Sequence, residues 1–417
     1  MVIQIKLSNF YSIKEEVILD FEAANLRTKL SKDLEANCID FNGDKILKSL
    51  AVYGANASGK SNIIKTIRFC HAMVYDSHKH NEDVTFNFQP FKSNSKNTPS
   101  TYYIDFVAEE VEYEYSFSLT PERIIQESLY HYPNGKRAKV FTRDERKGEE
   151  KRDKYSFGTA VIKRPYDVAE STSNKTLFIS RASQMDRRIP KIIFRYFHEK
   201  FLLRHTQWVN ANLEELLNEY KSDLLLALSY ADSDIVDFKI QKRTEKGKHL
   251  RANFDTEEFS VEDEERKILD IETSHRCFED KAFKMSEESL GTQKLFVLML
   301  SILEVIKNEK VLLVDELEDS LHPAIVEYII SLFHRSKGSQ LLFSTHNTNL
   351  LNLKKFRRDQ IWFVNKKVEG SSELYSLSDF KDFRENMDLE KAYLQGRFES
   401  IPVINELSSD LMPSQEA

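Results

Sequence analysis

The chain has 417 residues, 41% of them hydrophobic and 30% charged, enough apolar material for a sizeable core under a well-solvated surface. A formal net charge of -7 excludes a protein that coats nucleic acid non-specifically and leaves room only for a local basic patch. Three widely separated cysteines, Cys38, Cys70 and Cys277, fit neither a disulfide framework nor a zinc spacing and read as reduced thiols of a cytoplasmic protein.

The opening MVIQIKLSNF alternates like a strand and lacks the apolar core of a signal peptide. Residues 1–60 predict strand, loop and strand, ending in the apolar run Leu50–Tyr53. A glycine-rich turn follows, then a helix from Ser61 to about His71. Residues 84–165, with stretches such as TYYIDFVAEEVEYEYSFSL, predict antiparallel sheet with one wet face. The mixed-charge run Arg143–Lys154 predicts a solvated hairpin tip rather than a nucleic-acid arm. Residues 187–230 carry helical apolar spacing, and residues 233–275 return to strand character around a basic loop, Lys242–Arg251. From Glu287 to about Ser344 the pattern is helix, buried strand, helix, buried strand. The longest apolar run, Leu295–Ile306, is interrupted by Ser301 and Glu304 and is too short to span a bilayer. Three segments result: residues 1–165, 166–285 and 286–417.

Four segments carry chemistry. GANASGKS, Gly54–Ser61, fits G-x-x-x-x-G-K-[ST] between an apolar strand and a helix. In such a loop the glycines let backbone N–H groups wrap phosphates, Lys60 reaches the β- and γ-phosphates, and Ser61 offers a hydroxyl to Mg²⁺. Gly54, Asn56, Ser58, Gly59, Lys60, Ser61 and Asn62 form the predicted ATP-binding set. VLLVDELEDSLHP, Val311–Pro323, predicts a buried parallel strand. Asp315 at its end is placed for Mg²⁺ and Glu316 for polarising the attacking water, although acidic residues also favour helix starts. QLLFSTHN, Gln340–Asn347, is another buried strand with His346 beyond its end, placed to touch a γ-phosphate. ESLGTQKLF, Glu288–Phe296, puts Ser289, Gly291 and Gln293 at the start of an apolar helix; its position just upstream of the acidic strand favours a second phosphate contact over a plain cap.

In this order the segments resemble the ABC-type ATPases: Gly54–Ser61 the Walker A loop, Ser289–Gln293 (SLGTQ, where transporters have LSGGQ) the signature, Val311–Glu316 Walker B, Asp319 the D-loop aspartate, His346 the switch histidine. Gln89 in FNFQPFK stands either as the metal-sensing glutamine or as a strand-edge glutamine before Pro90. IKLSNFYSIKEE resembles the start of SMC-like ATPases, and YGANASGKSN, LFISRASQMD, DELEDSLHP, FSTHN and AYLQGRF resemble prokaryotic abortive-infection ATPases of the AbiL/RloA kind, related to OLD and Septu ATPases.

The resemblance implies an α/β ABC-type ATPase head with a mixed core sheet, an antiparallel β lobe and a helical lobe bearing the signature. It implies ATP and Mg²⁺ as cofactors and a homodimer or higher even oligomer that sandwiches nucleotide. The expected partner is a separate effector, an RloB-like, TOPRIM-type or HNH nuclease, with DNA or RNA engaged through it and no membrane. The alternative is an SMC-like repair or recombination ATPase acting directly on DNA; the basic loop Lys242–Arg251 fits either, or a solvated hairpin. Gly396, Arg397 and Phe398 form an expected docking surface or a segment packed back on the ATPase lobe.

Overall fold

The computed structural model describes residues 1–26, 28–95, 97–159, 161–203, 213–231, 234–253, 258–384 and 387–402. The chain divides into two compact units, one of Met1–Leu203, Glu309–Glu318 and Ile330–Ala417, the other of Arg204–Asn308 and Asp319–Ile329.

The first unit is built on two sheets. One has six strands in the order Phe201–Leu203, Val311–Val314, Gln340–Ser344, Ser49–Gly54, Ile361–Lys366, Ser372–Ser376. All neighbours are parallel except the last pair, so the sheet is mixed. Continuous apolar runs are what a parallel strand buried on both faces requires, and every residue of Ser49–Gly54 is buried. In such a sheet the loops at the carboxyl ends of the strands gather along one edge, the usual place for a ligand. The loops following Gly54, Val314 and Ser344 share that edge.

The other sheet is antiparallel, with seven strands in the order Tyr155–Phe157, Ala138–Asp144, Ile124–His131, Val111–Leu119, Ser100–Ala108, Val2–Ser8, Val17–Asp20. Alternation puts Tyr102, Ile104, Phe106, Tyr115, Phe117, Leu129 and Phe141 into the core and leaves the opposite face wetter. Helix Lys60–Asp76 buries Ile63, Ile67, Cys70, Met73 and Val74 in the same core, an apolar stripe of helical period.

The second unit holds helices Leu213–Glu219, Lys221–Tyr230 and Leu290–Lys307 and a three-stranded sheet of Ile235–Asn253, Glu258–His275 and Phe278–Lys284. Leu290–Lys307 buries Leu295, Phe296, Met299, Leu300, Ile302 and Val305, and the Phe238 ring meets Phe296 edge-on at 5.2 Å. The α/β class, the mixed core sheet, the antiparallel lobe and the helical region carrying SLGTQ are therefore all present. None of the described helices is long and apolar enough to cross a membrane.

Two local expectations need correction, and one open alternative is decided. Arg143 is not part of a solvated tip: its side chain is wholly buried, paired with Glu145 at 2.7 Å and Glu127 at 3.7 Å, and it donates to the carbonyls of Thr176 at 2.7 Å and Ser173 at 2.9 Å. A strand position facing the core took a guanidinium because acceptors were available for its rigid fork of donors. Lys242–Arg251 is strand rather than loop, since the pairing runs without a break from Asp237–Ser274 to Asn253–Glu258. Phe398 is not a surface anchor: it is fully buried and stacked on Phe363 at 4.8 Å, while Arg397 lies over Phe383 and donates to the Asp382 carbonyl.

Candidate active site

Strand Ser49–Gly54 delivers the chain to the loop before helix Lys60–Asp76. The loop is built for close approach. Gly59 has φ +118, and a Cβ there would meet the Ser372 hydroxyl at 2.1 Å; a Cβ on Gly54 would meet the Val364 carbonyl at 2.5 Å. Ala57 also has positive φ. The loop rests on two serines to which the sequence assigned no role: Ser372 Oγ donates to the Ser58 carbonyl at 2.5 Å and lies 2.7 Å from Ser12 Oγ. Asn62 Nδ2 donates to Ser12 Oγ at 2.7 Å. Asn56 and Ser61 are exposed at the loop surface.

Lys60 folds back so that its ammonium donates to the carbonyls of Gly54 at 2.9 Å and Ala55 at 3.2 Å. Burial lowers its pKa, against the attraction of Glu316, Asp315 and Glu318. Three carboxylates thus act on one lysine, which brings the acidic loop and the glycine-rich loop to the same place.

Asp315 and Glu316 follow strand Val311–Val314. One buried hydroxyl fixes both: Ser344 Oγ donates to Asp315 Oδ1 and accepts the Glu316 N–H at 2.8 Å. Glu316 is exposed and has φ +52, a costly conformation for a non-glycine residue that is found preferentially at functional sites. His346 is exposed just past strand Gln340–Ser344, and its backbone N–H donates to Glu318. Farther along, Thr348 donates to Glu390 of helix Leu389–Leu394 at 2.6 Å. Gln89 is exposed, with its carbonyl accepting from Tyr11 N–H at 2.7 Å.

The fit to a nucleotide can be tested on what the loops leave unsatisfied. Among the described residues, Ser58 Oγ, Glu318 Oε2 and Asn347 Nδ2 are buried without a partner, so a polar group on each of the three loops has hydrogen-bonding capacity to spare for a ligand. Together with the cradle at Gly54 and Gly59 and the retractable Lys60 ammonium, they fit a bound triphosphate. No described group of three His, Cys, Asp or Glu side chains could hold a metal ion.

In the second unit Ser289 caps helix Leu290–Lys307, its hydroxyl accepting Thr292 N–H at 3.1 Å. Gln293 Nε2 donates back to the Glu288 carbonyl at 2.8 Å. Gly291 is needed because a Cβ would meet the Ser320 carbonyl at 2.9 Å. Asp319 pairs with Lys294, whose hydrogen bond holds that carboxyl below its usual range.

Residues 49–352 match the AAA_21 family, described as "AAA domain, putative AbiEii toxin, Type IV TA system". The chain belongs to this family. AAA_21 membership makes it a nucleotide-binding ATPase domain and covers the glycine-rich loop, the acidic strand and His346 together. No curated protein matches the AAA_21 chain. Similar solved structures include an SMC head bound to the C-winged helix domain of ScpA (18% identity, 94% of this chain and 99% of that one, TM-score 0.40). Others are the SMC head domain from Thermotoga maritima (15%, 90% and 98%, TM-score 0.36) and an Smc head with an extended coiled coil bound to the C-terminal domain of ScpA derived from Pyrococcus furiosus (15%, 95% and 99%, TM-score 0.38).

Sequence reasoning missed Ser12, Ser372, Ser344, Glu318 and Tyr53. Tyr53, Ser12 and Ser344 sit inside the segments YGANASGKSN, IKLSNFYSIKEE and QLLFSTHN without an assigned role, Glu318 inside DELED is a third carboxylate beside two with assigned roles, and Ser372 carried no signal.

Proposed function

We propose that two copies of this chain close head to tail around ATP and hydrolyse it, and that this cycle controls a separate effector, a nuclease, in prokaryotic phage defence. The observation that carries the proposal is the convergence of Lys60, Asp315 and Glu316 at the carboxyl edge of the core sheet, with both acidic residues fixed by Ser344 Oγ. In this reading Lys60 leaves the Gly54 and Ala55 carbonyls for the β- and γ-phosphates. Gly54, Asn56, Ser58, Gly59 and Asn62 shape the cradle, and Ser61 and Asp315 hold Mg²⁺, with Gln89 a further ligand. Mg²⁺, when bound, neutralises charge developing on the transferred phosphoryl group. Glu316 orients and polarises the attacking water, and His346 meets the γ-phosphate side.

Ser289, Gly291, Gln293 and Asp319 act in the partner's site. Supporting this, the Ser289 end of an 18-residue helix is exposed, and Leu290 beside it is 72% exposed, a large apolar side chain suited to burial against a second copy. The toxin–antitoxin wording of the family description and the sequence's likeness to AbiL/RloA ATPases, with their OLD and Septu relatives, support the defence assignment and an RloB-like, TOPRIM-type or HNH effector.

The test is Glu316→Gln, which keeps shape and removes the base. ATP binding is expected to persist while turnover falls by about 100-fold or more, and light scattering with ATP should report an accumulated dimer. Normal turnover in Glu316→Gln sinks the assignment of the base, and a monomer at saturating ATP sinks the sandwich.

A further inference from the structure

The loop that carries His346 is held from several sides. Glu318 Oε1 accepts the His346 N–H, Tyr53 hydroxyl donates to the Asn347 carbonyl at 3.3 Å, and Thr345 Oγ1 accepts Asn347 N–H at 3.0 Å. Glu318 therefore joins two loops: it follows the acidic strand in sequence and grips the segment after strand Gln340–Ser344. Its second oxygen, Oε2, is buried and has no hydrogen-bond partner among the described residues, and Asn347 Nδ2 on the gripped loop is in the same condition. An unpaired carboxylate oxygen within electrostatic reach of Lys60 is expensive to keep unless something fills it in the working state.

An attacking water supplies a reason. Its lone pair points at phosphorus only when both of its O–H bonds are directed elsewhere, so it needs two acceptors. Glu316 provides one. Resting on the ATPase reading above, we propose that Glu318 is a positioning residue of the site. In this role Oε1 locks the backbone at His346, and Oε2 accepts the second O–H of the water that Glu316 activates. The proton leaves to Glu316 and the new P–O bond forms to the water oxygen as the bond to the ADP leaving oxygen breaks; Glu318 itself exchanges no proton.

The two oxygens can be separated by mutation. Glu318→Gln can keep a carbonyl on the His346 N–H but puts an NH₂ donor where the free acceptor was; Glu318→Ala removes both. With the full-length chain, hydrogen exchange at the His346 amide is measured without nucleotide, and ATP affinity and turnover are measured with ATP and Mg²⁺. Glu318→Gln is expected to leave exchange at His346 and ATP affinity within about twofold of wild type while lowering kcat by about tenfold or more, the split that marks a transition-state role. Glu318→Ala is expected to lose the same kcat and also to exchange the His346 amide faster. Wild-type kcat in Glu318→Gln overturns the role of Oε2, and unchanged exchange in Glu318→Ala overturns the clamp. A wild-type chain that binds no ATP overturns the earlier reading and the Oε2 role with it, while exchange at His346 still decides the clamp.

Discussion

Ser344→Ala removes one hydroxyl and unsettles two acidic residues at once. Ser344 Oγ donates to Asp315 and accepts from Glu316 N–H, and the serine is fully buried, so water cannot easily replace it. A hydrogen bond to a charged group contributes about 1.5–3 kcal/mol, and a stranded backbone N–H costs about 1–3 kcal/mol. The stability loss should therefore be roughly 2.5–6 kcal/mol. Glu316 must also hold φ +52, a conformation that costs about 1–3 kcal/mol and relaxes once its tether is gone. If about 1.5–3 kcal/mol of that positioning is realised in the transition state, kcat falls by roughly 10- to 150-fold. ATP affinity measured without Mg²⁺ should stay near wild type, because among the described residues the Ser344 hydroxyl bonds the acidic pair and not the glycine-rich loop. Steady-state ATPase assays, equilibrium nucleotide binding and denaturant unfolding read the three quantities, and Ser344→Thr, which keeps the hydroxyl, should recover part of the loss. A folded Ser344→Ala chain with kcat within about threefold of wild type would refute the reasoning.

Two further outcomes test the surrounding structure. Burial pulls the pKa of His71 from 6.5 down to about 4 and that of His334 from 6.5 down to about 3. Between those values and 6.5 the unfolded chain binds more protons than the folded one, so stability rises with pH in that window and is lost as pH falls below 6.5. The loss should reach up to about 2 kcal/mol per histidine at pH 5, offset in part by Asp105, whose carboxyl pKa burial raises to about 7; a stability that rises as pH falls from 7 to 5, read by urea unfolding, contradicts it. Phe398→Ala should destabilise by about 3–5 kcal/mol, because the ring is buried on Phe363; an unfolding curve matching wild type would restore it as a docking anchor.

The parts of this molecule that were legible in its sequence are those whose signal is local. SLAVYG, VLLV and QLLFS are continuous apolar runs ending in polar loops, and all three became central strands with the glycine-rich loop, the acidic pair and His346 just beyond them. What supports those loops was not legible, because Ser12, Ser344 and Ser372 are ordinary serines whose partners lie far away in sequence: Glu316 is 28 residues from Ser344 and Ser58 is 314 from Ser372. Arg143 misled for the same reason. Its neighbours in sequence are mostly charged, but beyond Glu145 its acceptors are Glu127, brought in by strand pairing, and the carbonyls of Ser173 and Thr176, on the segment between helices Pro165–Glu170 and Phe178–Gln184. The basic stretch Lys242–Arg251 looked like a loop because its lysines and Gly247 suit turns; its backbone instead pairs in register as part of a long hairpin strand.

The central claim is that each ATP is completed by the signature of a second copy. Lys60→Ala and Ser289→Arg chains, each prepared alone, should be inactive, since every site then lacks either its lysine or its signature serine. Mixed in equal amounts, they form heterodimers in which one site pairs the intact Lys60 of one chain with the intact Ser289 of the other. Recovery of ATPase activity in the mixture, toward about a quarter of wild type for random pairing with independent sites, is the result the account predicts. Full activity of Ser289→Arg alone, or no recovery in a mixture shown to contain heterodimers, would contradict it.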